Sequence, residues 1–134
     1  MATRSFSARL DTDLLDRLRR ESAREGIAAS QLAERYIEEG VRAAEFPGIT
    51  FRSGPAGRRA GLVGGPDVWE VVRDLQAARA AGRSDPVAWV TRTTDLSEAQ
   101  VRLAAAYYAQ HRDEIDARID ADEQLTRSLL AGLE

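Results

Sequence analysis

The stretch Arg4-Ser5-Phe6-Ser7-Ala8-Arg9-Leu10, followed by Asp11-Thr12-Asp13, decides how the first third of the chain is read. Phe6, Ala8 and Leu10 alternate with Ser5, Ser7 and Arg9. A period of two predicts a half-buried strand with its polar residues facing outward. Asp11, Thr12 and Asp13 are capping residue types and predict a helix start. Leu14, Leu15 and Leu18 begin that helix's apolar stripe, and Gly26 is a suitable residue to end it. A second helix is predicted from about Ala29 to Ala44. Its apolar positions, Leu32, Ala33, Tyr36, Ile37, Gly40, Val41 and Ala44, recur at three and four. No second strand is predicted within residues 1–46. A lone strand leaves its N–H and C=O groups without partners. The simplest partner is the same strand of a second copy, which predicts a homodimer through a two-stranded antiparallel ribbon.

This order of strand, helix, Gly26 turn and helix resembles the ribbon-helix-helix family of dimeric DNA-binding proteins, over residues 4–44. The resemblance implies that the ribbon lies in the major groove of operator double-stranded DNA and that Ser5, Ser7 and Arg9 read bases. A ribbon fits that groove, and a guanidinium can bond guanine O6 and N7 together. The resemblance also implies a phosphate clamp where the second helix begins, at Ala28, Ala29 and Ser30, with Arg4 as a further phosphate contact. Free amides and the helix dipole favour an anion there. The chain departs from the family pattern at Ala28, where Ser or Thr is usual, so one hydroxyl contact is missing. The other reading of the strand is a dimerisation edge without a DNA role.

Outward from this segment, Pro47-Gly48 marks a boundary. Residues 47–112 are expected to form a small hairpin plus helical domain. Ile49–Arg52 and Arg59–Val63 flank Ser53-Gly54-Pro55-Ala56-Gly57, a strong turn. A helix from Val68 to Ala81 buries Val68, Val71, Val72 and Leu75 and ends at Gly82. Asp85-Pro86 starts a short helix, Val87 to Val90. Ser97 and Gln100 form a capping box for a third. The hairpin, the Val68-Trp69-Glu70-Val71-Val72 helix start and the Leu96–Tyr108 helix resemble the small helical family known as domain of unknown function 433, found in VapB-like antitoxins. The resemblance implies a winged, helix-turn-helix-like shape. Where members of that family commonly have Gly-Thr-Arg, this chain has Gly64-Gly65-Pro66-Asp67. Arg52, Arg58 and Arg59 surround the hairpin and are candidates for contact with a toxin or with DNA; the alternative is a solvated turn. Trp69, Trp89, Tyr107 and Tyr108 are read as core or interface, and His111 as an ordinary surface residue.

Residues 113–134 read as an acidic amphipathic C-terminal helix, continuing the one before it. Ile119, Leu125, Leu129, Leu130 and Leu133 are candidates for toxin binding, since an apolar stripe rimmed by acids suits helix-in-groove recognition. The other reading is a terminal helix that closes the dimer. The fold class expected is therefore mainly α with short β: a ribbon-helix-helix dimer over residues 1–46, a winged-helix-like domain over 47–112 and a final helix.

Charge and composition bound the function. The 134 residues carry a formal charge of −3, and all 19 basic residues are Arg. That acidity argues against DNA until it is divided. Residues 1–46 carry −1, residues 47–94 carry +3 and residues 95–134 carry −5. No Cys is present, which excludes disulfides, thiolate metal sites and a Cys nucleophile. The one His offers no nucleophile–base constellation. No catalytic residue, metal site or cofactor is expected, and the chain is not read as an enzyme. No apolar run spans a membrane and the N-terminus lacks a signal-peptide core, so a soluble, cytoplasmic protein is expected. The two resemblances together imply an antitoxin of a type II toxin–antitoxin pair. It would repress its own operon through operator DNA and neutralise a toxin, which the family context implies is a PIN-like ribonuclease, by direct binding. The alternative is a stand-alone repressor.

Overall fold

A computed structural model describes residues 2–134. Six helices and one two-stranded antiparallel sheet make up the regular structure of these residues. The chain divides into two compact units, Met1–Val41 and Arg42–Glu134.

In the first unit, α1 (Thr12–Glu25) and most of α2 (Ala29–Glu45), whose last residues from Arg42 belong to the second unit, follow an extended segment. Helix α1 ends where the hydrophobic pattern says it should. Gly26 takes a left-handed φ of 69°, and the amides of Gly26 and Ile27 return to the carbonyls of Ala23 and Ser22. A side chain at that φ would crowd the backbone, so glycine is the fitting residue. Asp11 stands at the N-cap of α1, but its side chain makes no capping hydrogen bond, contrary to the expectation for Asp11-Thr12-Asp13. Arg35 of α2 holds Glu25 at the end of α1 through two bonds of 2.6 and 2.9 Å. Leu32 is fully buried, yet Phe6, Leu10, Leu14, Tyr36, Ile37 and Val41 are exposed.

The structure overturns the expected fold class. Residues 2–11 carry no strand, and a ribbon-helix-helix dimer is not shown. Phe6, expected on a buried face, is 82% exposed. The alternation of Phe6, Ala8 and Leu10 is real, but a strand needs a neighbouring backbone to bond, and this segment pairs with none among the described residues. The only sheet among the described residues is a local hairpin in the second unit, and the architecture is mainly helical.

That hairpin pairs β1 (Ile49–Gly54) with β2 (Gly57–Leu62), with Arg52 opposite Arg59 and Ile49 opposite Leu62. Four helices follow: α3 (Val68–Ala80), α4 (Pro86–Thr93), α5 (Glu98–Gln110) and α6 (Arg112–Ala131). The core gathers Ile49, Ala60 and Leu62 of the hairpin with Val68, Val71 and Val72 of α3, Val90 of α4, and Val101, Ala104 and Tyr107 of α5. Ile115 and Ile119 of α6 complete it. The anticipated starts of α4 and α5 are present. Asp85 caps α4 by accepting from the Ala88 amide at 3.1 Å, with Pro86 in the first turn, and α4 runs longer than Val87–Val90. Ser97 and Gln100 exchange both bonds of the capping box at 3.1 and 2.9 Å.

The last helix is not a continuation of α5. His111 leaves helical geometry at φ −135°, ψ 44°, so α5 and α6 are separate. Its amide splits between the carbonyls of Tyr107 and Tyr108, and its ring stacks on Tyr107 at 4.4 Å. The Tyr107 hydroxyl accepts from Arg42 at 2.9 Å and donates to Glu114 at 3.3 Å, while Arg42 also reaches Glu114 at 2.9 Å. Burial, then the Glu114 charge, pushes the Tyr107 phenol up to about 12.

Candidate functional site

Three surfaces carry the residues that the sequence singles out. The first surrounds the hairpin. Register places Arg52 directly across from Arg59. Like charges directly opposite on a hairpin repel, so the pair needs a shared counter-ion. Asp67, 5% exposed just before α3, supplies it. Its carboxylate accepts from Arg52 Nη1 at 2.8 Å, from Arg59 Nε, and from Trp69 Nε1 at 3.3 Å. Arg52 Nη2 also donates to the carbonyls of Leu62 and Gly65, the latter at 2.7 Å. Gly61 makes room for it: a Cβ there would stand 2.7 Å from the Arg52 guanidinium carbon. Arg58 donates to Ser53 Oγ at 2.9 Å. The three hairpin arginines thus make hydrogen bonds within the unit while keeping part of their surface exposed, 31% for the Arg52 side chain and 29% for Arg59. Asp67 and Trp69 were not identified as site residues from the sequence. The cross-strand Arg pair was the available signal, because it demands an acid close by.

Beside this hub lies a cleft of about 400 Å³ bordered by Arg59, Trp69, Glu70, Arg118, Asp122 and Leu125. Arg118 ties α6 to the hairpin turn through the carbonyls of Ala56 and Arg58 at 3.3 and 3.4 Å. Arg73 lies over the Trp69 ring at 5.1 Å and reaches Asp122 at 3.6 Å. Burial, followed by the charge of Asp67, raises the Glu70 carboxyl above its ordinary value, against Arg73 and Arg59. The cleft therefore offers both signs of charge on apolar walls.

The second surface is the far end of α6. Ile119, expected to meet a toxin, is 6% exposed and belongs to the core. Leu125, Leu129, Leu130 and Leu133 are exposed, Leu133 at 83%. Leu125 borders the cleft, so the stripe begins at the cleft's edge.

The third surface is the N-terminal unit. Arg4, Ser5, Ser7 and Arg9 are exposed on the extended segment. At the start of α2, Ala28 and Ser30 are exposed and Ala29 is half-buried. The Ala28 amide donates to Gln31 Oε1 at 3.4 Å, a long bond that an incoming anion would have to displace.

No helix of the described residues is long and apolar enough to cross a membrane. The chain matches no protein-family model, no curated protein and no solved structure.

Proposed function

We propose that the chain is a binding protein of the antitoxin type, pairing an operator-binding N-terminal unit with a toxin-capturing C-terminal surface. The observation that carries this reading is the division of α6. Its first turns are seated in the core by Ile115 and Ile119, while Leu125, Leu129, Leu130 and Leu133 stand uncovered beyond them. An anchored helix that ends in an uncovered leucine stripe is suited to entering a groove on another protein. The adjoining cleft supplies acids and arginines for the charged rim of such a contact. The partner is a PIN-like ribonuclease toxin, and covering its metal-dependent, phosphate-binding site is the means of inhibition.

On the DNA side, the exposed segment offers Arg9 to base edges with Ser5 and Ser7 beside it, and Arg4 to a phosphate. The amides of Ala29 and Ser30 at the start of α2 offer a second phosphate contact. Self-repression follows if the operator lies before the chain's own gene.

Co-expression with the adjacent open reading frame tests the toxin reading. The neighbour is expected to be toxic alone, to be silenced by the full chain and to co-purify with it. Leu129→Asp with Leu130→Asp should abolish capture without unfolding the second unit, because neither residue is in its core. A neighbour that is harmless alone, or that does not co-purify, rejects the toxin reading. If Arg9→Ala nevertheless weakens DNA binding, a stand-alone repressor takes its place, as the exposed Arg9 segment makes no use of the tail.

A further inference from the structure

Beyond the hairpin, a second group of arginines has a different environment. Arg83 lies just after α3 and Arg92 lies in the last turn of α4. Both guanidinium groups approach the same indole: Arg83 Cζ is 3.5 Å and Arg92 Cζ 5.8 Å from the Trp89 ring centroid. Among the described residues, no carboxylate forms an ion pair with either arginine, whereas Arg52 and Arg59 share Asp67. The group borders a concavity of about 400 Å³ that also takes in Ser84 and Asp85.

Both sides of this stack are pinned. Gly82, at φ 79°, lets the amides of Gly82 and Arg83 return to the carbonyls of Arg79 and Ala78, which fixes the backbone from which Arg83 projects. Trp89 sits in the opening turns of α4, with its amide on the Asp85 carbonyl at 3.0 Å. Asp85 is the one acid bordering the concavity, and its Oδ1 is occupied by the Ala88 amide. Arg83 lies over the Trp89 face at 3.5 Å, and a guanidinium held over an aromatic face can still direct N–H donors to a ligand. Such a fork matches a phosphate oxygen pair.

We propose that Arg83, Trp89 and Arg92 form a phosphate-binding site on the second unit that takes the phosphodiester backbone of duplex DNA. Arg79, exposed in the last turn of α3, adds a further cation along the same stretch. The proposal rests on the DNA-binding reading above, but it places a backbone contact in a part of the chain distinct from the N-terminal segment. Backbone contacts position a protein on DNA without reading its sequence. The site therefore contributes affinity and salt dependence, and leaves base preference to Arg9.

The test is the salt dependence of binding of the full chain to its upstream DNA and to a short random-sequence duplex. Each phosphate contact contributes a slope of about 0.9 in log K against log salt concentration. Arg83→Ala with Arg92→Ala is expected to lower the slope by roughly 2 on both duplexes and to keep the preference between them. The double Lys variant restores the charge and should restore the slope. Arg102→Ala, whose guanidinium already pairs with Glu98, serves as the control and should leave the slope unchanged. An unaltered slope in the double Ala variant, a Lys variant that does not recover it, or a wild type that binds neither duplex overturns the proposal. Displacement of the duplex by inorganic phosphate or poly-glutamate at equal charge would reassign the site to a free anion or an acidic protein, and also overturns it. Arg9→Ala separates this result from the N-terminal reading. If the preference between duplexes survives in Arg9→Ala, the base-reading role fails while the slope result stands.

Discussion

Asp67 holds together two arginines that the hairpin register sets against each other. Both arginines retain some solvent, with side-chain exposures of 31% for Arg52 and 29% for Arg59, while Asp67 has 6%. Asp67→Asn keeps the shape and removes the charge. A fully buried charge left alone costs roughly 3–5 kcal/mol; with the arginines partly hydrated, a loss of about 2 kcal/mol is expected, read from the denaturant midpoint. A midpoint within error of wild type would remove the hub from the account of stability. Glu70 is the opposite case. Its folded-state pKa is raised above the ordinary 4.5, chiefly by burial, so folding favours its protonated form. Its contribution is therefore fully present below the unfolded value and is lost as pH rises through the folded one. Glu70→Gln cannot ionise. It should be more stable than wild type at neutral pH, with the difference closing below pH 4.5. Thermal melts at the two pH values check this, and a difference independent of pH would contradict it.

At the scale of elements, local chemistry decides where helices begin and long-range packing decides what they do next. The start of α5 is set by Ser97 and Gln100, each satisfying the other's backbone amide. Ser97→Ala should cost about 1 kcal/mol, the usual value of a lost N-cap, and should act without altering the core. A proteolysis or denaturation assay reads that loss, and a change much above it would mean that the α4–α5 connection depends on Ser97 for more than capping. Such starts, and the stop at Gly26, were legible because their causes lie within four residues. The break at His111 was not. Tyr107 and His111 lie one turn apart, but Phe46, whose ring packs against both, comes from just after α2, far back in the chain. Ile119 was misplaced for the same reason: one amphipathic pattern runs through α6, but the core takes its first half and leaves the second uncovered. At the hairpin, composition showed a basic cluster, whereas the internal use of that cluster depended on a register and on Asp67. The Arg83–Trp89–Arg92 group was hidden similarly. Arg92 is one turn from Trp89 in α4, but Arg83 is separated from it by a turn and a helix start, and only the folded chain brings both guanidinium groups to one ring. The N-terminal strand failed on a different ground: alternation shows which side chains would share a face but supplies no backbone to bond.

At the scale of the whole molecule, the two units differ in how well they bury their own apolar residues. The second has a core of hairpin and four helices. In the first, Leu32 is the only buried apolar residue, while Phe6, Leu10, Leu14, Tyr36, Ile37 and Val41 remain exposed among the described residues. A segment of this size with so small a core is marginal by itself. A second copy of the same unit would cover that surface, and an operator-binding homodimer would use it. Association then contributes to stability, so the first unit should become more stable as protein concentration rises. Hydrogen exchange gives the direct measurement: amides of α1 and the start of α2 should gain protection with concentration, while those of α3 and α5 should not. Sedimentation should show monomer giving way to dimer over the same range. Leu14→Glu with Ile37→Glu places charges on the exposed face without touching the second unit's core, and should hold the chain monomeric at every concentration. Protection of α1 that is independent of concentration, together with a monomer throughout, would exclude the homodimer.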